Sequence, residues 1–246
     1  MAITNRSVVH WTKGGPVDSR VDEGQLSEWA THSVATAADP LPLGLAALAT
    51  ALVTCGALLA TWFRPTGSGM EAVLPGVLIF GGLIQLLAAM WAYRRNDLFG
   101  ATAFGTFGGF FGIVGVLGLA AHPLFTSHQF GPLGVLICCF GLIAVFLAIA
   151  GWKLGATLFG TYGLLAISLF LMGATLIGGL NVATLVASGW AAVAAGLIGF
   201  YLAGAYLINS YYGKSVVPLK LTERRLQVKL VVRSDGSHAT PTPTAG

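Results

Sequence analysis

The chain has 246 residues, of which 55% are hydrophobic and only 9% charged, with a mean hydropathy of +0.79. A water-soluble fold of that composition would expose large apolar patches, so a lipid bilayer is its natural solvent. The net charge of +4 does not imply a nucleic-acid partner, because the positive residues lie at the ends and in short turns rather than on one basic face.

Residues 1–38 are polar, carry Gly14-Gly15-Pro16 and show no sustained periodicity. They are expected to form a disordered cytoplasmic N-terminal tail, kept on the protein because no signal-peptide-like apolar core begins the chain. Six apolar runs follow, at residues 43–62, 72–92, 98–120, 132–150, 154–178 and 184–208. About 20 residues of helix cover the roughly 30 Å of a hydrocarbon core. The predicted fold is therefore an all-α membrane protein with six transmembrane helices over residues 39–213. Residues 214–246 make a basic and then disordered cytoplasmic C-terminal tail.

Arg94 and Arg95, between the second and third runs, set the orientation, since short basic turns stay cytoplasmic. All thirteen lysines and arginines except Arg64 then fall on the same side, with both termini cytoplasmic. The segment from Leu219, LKLTERRLQVKLVV, reads either as a strip on the anionic inner leaflet or as a solvated juxtamembrane segment that enforces topology.

The third run opens FGATAFGTFGG from Phe99 and the fifth opens LGATLFGTYGL from Leu154, an offset of 55 residues. A fainter copy opens the first run, where Gly44, Ala49 and Thr50 match Gly100, Gly105 and Thr106. Three parallel hairpin repeats are expected. Residues four apart share a helix face, so Thr50 with Thr54, Thr102 with Thr106, and Thr157 with Thr161 form three hydroxyl stripes. They either line a common path, with Phe107 and Tyr162 narrowing it, or bond back to carbonyls of their own helices.

Between Leu98 and Gly213 the only formal charge is Lys153, in a turn. A proton relay would use an intramembrane ionisable group, so the path is expected to be neutral and to suit a weakly held anion or an uncharged acid. No triad, phosphate loop or metal cluster appears, so no enzyme, metal or cofactor is expected. Cys55, Cys138 and Cys139 lack ligand spacing, and His122 and His128 lack a partner cluster. Gln85, inside a run, must have its amide bonded, so it ties helices together or belongs to the path. Asn181 reads as loop.

The segment Asp39-Pro40-Leu41-Pro42-Leu43-Gly44-Leu45 resembles the Asn-Pro-Ala-Pro-Leu-Gly-Leu signature of the acetate uptake transporter family, also called the succinate-acetate permease family. Gly81-Gly82, Gln85, Phe99-Gly100 and Thr102-Ala103-Phe104 resemble its second and third helices. With the six spans, the resemblance covers residues 39–218. It implies passage of acetate and similar short carboxylates across the plasma membrane, with related members taking succinate, by a hexamer of six-helix protomers. Pro42 then either presents first-turn amides to a carboxylate or only sets the entry angle of the helix. The family's apolar constriction maps onto Leu48, Phe107 and Ala166, where Phe, Tyr and Leu are more usual. Asp39 for Asn, Ala92 for Glu, and Asn96-Asp97-Leu98 for Gly-Asn-Thr are further departures. The rival readings are an ammonium or small neutral-solute pathway and a non-transporting, acetate-responsive membrane scaffold.

Overall fold

The structure, a computed structural model, describes residues 11–12, 15–16, 38–62, 69–124, 130–179 and 181–219. The expected tails fall mostly outside these residues, as do Arg64 and His128. Contacts divide the chain into two units, Met1–Asp39 and Pro40–Gly246. In the first, β1 (Trp11–Thr12) pairs antiparallel with β2 (Gly15–Pro16), Trp11 opposite Pro16.

The second unit is helical. Helix α1 covers Leu41–Leu59 and carries Pro42 in its first turn, where a missing amide hydrogen breaks no helical bond. The second span, α2, covers residues 69–94 in three windings: Gly69–Gly76 is α-helical, Val77–Ile84 is π-helical, and Gln85–Arg94 returns to α. Then come α3 (Leu98–Leu124), α4 (Phe130–Trp152), α5 (Ala156–Gly178) and α6 (Val182–Tyr212). Among the described residues six helices are long and apolar enough to cross a membrane.

Several boundaries differ from the sequence expectation for local reasons. Helix α1 stops at Leu59 rather than near Trp62, because Thr61 takes a left-handed φ of 56°. Helix α5 starts at Ala156, since Gly155, at φ 156°, breaks the winding just before it. Asp97 caps α3 by accepting the Gly100 amide at 3.2 Å. Asn181 is more than loop: its Oδ1 accepts the Ala183 and Thr184 amides at 2.9 and 3.4 Å and starts α6.

By contact the helices follow the order α4, α5, α6, α1 and then the α2–α3 pair, with a short seam closing α3 onto α4. Ten of the nineteen α1 residues are buried, so this helix sits deepest. Small residues permit the tight α1–α6 approach. A Cβ on Gly56 would stand 2.8 Å from the Gly189 carbonyl, and one on Gly196 would stand 2.7 Å from a Val53 methyl. The outer surface is apolar, with Leu83, Leu87, Met90, Phe146, Ile149, Trp190 and Leu197 all exposed, the inverse of a soluble domain. Beyond α6 the chain folds back. Asn209 Oδ1 accepts the Val216 and Val217 amides, both at 2.8 Å, its Nδ2 donates to the Val217 carbonyl at 2.9 Å, and Tyr201 donates to the Pro218 carbonyl at 2.5 Å.

Candidate substrate path

Helical spacing sends one apolar face of each of three helices to a shared core. Leu41, Leu45, Leu48 and Leu52 come from α1, Phe104, Phe107 and Phe111 from α3, and Leu158, Tyr162, Leu165 and Leu169 from α5. The candidate constriction residues Leu48, Phe107 and Ala166 all belong to this cluster, at 0, 0 and 4% exposure. An aromatic chain bridges α3, α5 and α4. Phe99 meets the Tyr162 ring edge-on at 5.5 Å and Phe107 meets it at 6.1 Å. Phe107 then touches Phe110 at 6.3 Å, and Phe110 touches Phe140 at 5.0 Å.

The signature segment supports this cluster from one end. Pro40, Leu41, Gly44 and Leu45 are buried, Pro42 is half-buried, and Leu43 and Asp39 are exposed. A Cβ on Gly44 would overlap the Phe104 ring, so the missing side chain lets that ring pack against α1. Its fixed place is therefore a packing requirement.

The hydroxyls divide into groups. Thr50 donates to the Ala46 carbonyl at 2.8 Å and the buried Thr161 to the Thr157 carbonyl at 3.0 Å, each within its own helix. Thr54 and Thr106 are half-buried and Thr102 is exposed. Three other side chains stand apart. The Gln85 amide oxygen and nitrogen, the Thr157 hydroxyl and the Tyr162 hydroxyl are buried without a hydrogen-bond partner among the described residues.

The register of α2 places Gln85 along the bundle. A Cβ on Gly81 would stand 2.7 Å from Ala51 Cβ and 3.2 Å from Phe111 Cβ, and one on Gly108 would stand 3.0 Å from the Leu86 amide. Because α2 runs antiparallel to both neighbours, Gln85 lies one turn nearer the Arg94 end than Ala51 and Phe111. That is the level of Leu48 and Phe107.

Toward the end opposite Arg94 lies a cavity of about 340 Å³ to which all six helices contribute, from Leu52 and Cys55 on α1 through Leu74, Phe110, Ile137 and Leu169 to Ala192 on α6. Its one hydroxyl, Ser168, donates to the Ser188 carbonyl at 2.8 Å. None of the seven pathway candidates Thr50, Thr54, Thr102, Thr106, Thr157, Thr161 and Tyr162 lines it. Sequence reasoning missed both the cavity and Ser168. Apolar residues facing inward and apolar residues facing lipid give the same hydropathy, so only the spacing of Ser168 within the α5 run hinted at an inward face. No group of three or more potential metal ligands occurs among the described residues.

Residues 23–221 match the model of the GPR1/FUN34/yaaH family. The chain belongs to this family. Within it, the chain is 26% identical over 188 residues to the succinate-acetate/proton symporter SatP of Escherichia coli strain K12, covering 74% of this chain and 95% of that protein. It is 26% identical over 194 residues to the glyoxylate pathway regulator of Yarrowia lipolytica, covering 74% of this chain and 68% of that one. The structure of the bacterial acetate channel SatP superposes with a TM-score of 0.68 at 25% identity, over 75% of this chain and 99% of that one. The all-helical fold with six membrane-spanning helices is thus the one this family's solved channel uses.

Proposed function

We propose that this chain carries acetate and related short-chain carboxylates, succinate among them, across the plasma membrane. Family relatives named for succinate-acetate/proton symport and as an acetate channel support this reading. The observation that carries it is the set of polar atoms on Gln85, Thr157 and Tyr162 that are buried without a partner among the described residues, whereas the hydroxyls of Thr161, Ser168, Thr175 and Ser188 are bonded. A buried polar group without a bond costs about 1–3 kcal/mol, so several of them together call for a function that offsets the cost, and a polar guest supplies one.

Passage runs along the face shared by the first, third and fifth helices and is pinched at Leu48, Phe107 and Ala166. Tyr162 and Gln85 offer hydrogen bonds beside the pinch and Thr157 offers one at the start of α5, while Thr50, Thr54, Thr102, Thr106 and Thr161 flank the route. The described spans hold no ionisable carboxylate or amine at mid-depth. The favoured species is therefore the protonated acid, which carries its own proton, or an anion held only by neutral donors. Three parallel hairpin repeats with cytoplasmic termini, assembled as a hexamer with one path per protomer, complete the proposal.

Radiolabelled acetate uptake into proteoliposomes tests it. Uptake should exceed that of protein-free vesicles and change on Phe107→Ala, and uptake no greater than the empty vesicles overturns the reading. Stopped-flow swelling with acetate, urea and ammonium separates the neutral-solute pathway. Deleting both tails separates the scaffold, because a transporter keeps its uptake without them.

A further inference from the structure

The cavity beside the aromatic pinch is far larger than a two-carbon acid requires. An apolar protein cavity of about 150 Å³ accommodates benzene, and this one, at about 340 Å³, is more than twice that size. Among the described residues its lining holds no charged side chain, and its hydroxyl, on Ser168, is already engaged by the Ser188 carbonyl. A carboxyl group therefore gains nothing inside it, whereas a hydrocarbon tail does. The cavity also adjoins the polar level. Phe110 lines it and touches Phe107, and Leu165 lines it less than one turn along α5 from Tyr162.

We infer that the cavity is a tail pocket for monocarboxylic acids longer than acetate, of the hexanoate class, with the carboxyl held at the level of Gln85 and Tyr162 and the chain in the apolar space. This rests on the carboxylate reading above and narrows its substrate class. Each methylene moved from water into such a lining strengthens binding about fourfold. Hexanoate, with four more methylenes than acetate, should therefore bind at least about tenfold more tightly even if much of the tail is incompletely buried. The thin α3–α4 seam also adjoins the cavity, so a phospholipid acyl chain is the competing occupant.

Equilibrium dialysis of the purified full-length protein with radiolabelled hexanoate and acetate decides the matter, alongside acetate uptake in proteoliposomes. The expected result is hexanoate affinity at least about tenfold above acetate. Ala192→Phe and Val114→Phe, which place rings in the cavity from two different helices, should each remove that advantage and leave acetate binding, which does not use the cavity, within about twofold. Testing both covers the case in which one of them fails to fold. Equal affinities, an advantage untouched by both rings, or native mass spectrometry showing a phospholipid that hexanoate does not displace would each overturn the pocket. Hexanoate binding sensitive to the rings but with no acetate uptake would sink the transport reading and leave the pocket standing. Uptake without a hexanoate advantage would do the reverse.

Discussion

Gln85 poses the sharpest question at the scale of single residues. If its amide tied helices together, replacing it with an apolar residue of similar size would destabilise the bundle. Since both amide atoms are buried without a partner among the described residues, Gln85→Met should leave the melting temperature in detergent unchanged or raise it, while acetate uptake falls at least about tenfold. A fall in both would return the residue to a structural role. Tyr162→Phe should behave alike, because the ring contacts at 5.5 and 6.1 Å survive and only the hydroxyl is lost. Thr50→Val is the contrast: its hydroxyl is engaged by Ala46, so uptake should stay within about twofold at a stability cost near 1 kcal/mol. The sequence could name these threonines but not choose between their two roles. A threonine χ1 can aim Oγ1 along its own helix or away from it, and a four-residue spacing is silent on which. Gln85 was legible as an anomaly because an amide inside an apolar run always demands a reason.

Elements were legible in number and type, because six runs of membrane length leave a helical bundle little alternative. Their ends were less so. Asn181 stands among apolar residues and glycines, so its capping role emerges only from the backbone that follows it. Asn181→Ala should lower stability by about 1 kcal/mol, read as an earlier thermal unfolding midpoint. The π-helical winding of Val77–Ile84 was invisible to hydropathy, since it leaves composition unchanged. Pro75 removes one helical amide just before it, and the winding then turns both Gly81 and Gly82 into buried positions against α1 and α3. A bulky residue at the α1–α6 crossing would be worse tolerated than any loop change. A Cβ on Gly189 would collide with the Ala60 backbone, so Gly189→Leu should destabilise by more than 3 kcal/mol or abolish the folded species on size-exclusion chromatography, in line with the overpacking penalty of about 1–3 kcal/mol for smaller insertions.

For the whole molecule, orientation follows from the placement of basic residues rather than from packing. Tyr211, exposed at the end of α6 near Lys214, is a usable reporter. With Cys55, Cys138 and Cys139 replaced by serine, Tyr211→Cys should resist a membrane-impermeant maleimide applied to intact cells and react after permeabilisation. Labelling from outside would invert the assignment. The cavity marks the limit of reading at this scale. Periodicity finds a buried stripe only when the opposite face is polar, and here exposed Phe146 and Ile149 look no different from inward Ile137 and Leu147. The constriction positions implied by the family resemblance, Leu48, Phe107 and Ala166, all lie in the buried core, with the open space beyond them.

The joints of the bundle are unequal. Four helix pairs lie alongside one another over most of their length, whereas α3 and α4 touch over a short stretch, clasped by Phe110 against Phe140 at 5.0 Å. Thermal breathing in a closed hoop concentrates at its weakest link. That joint is therefore where the bundle is expected to part first, and the Phe110–Phe140 pair is one of the contacts that hold it shut.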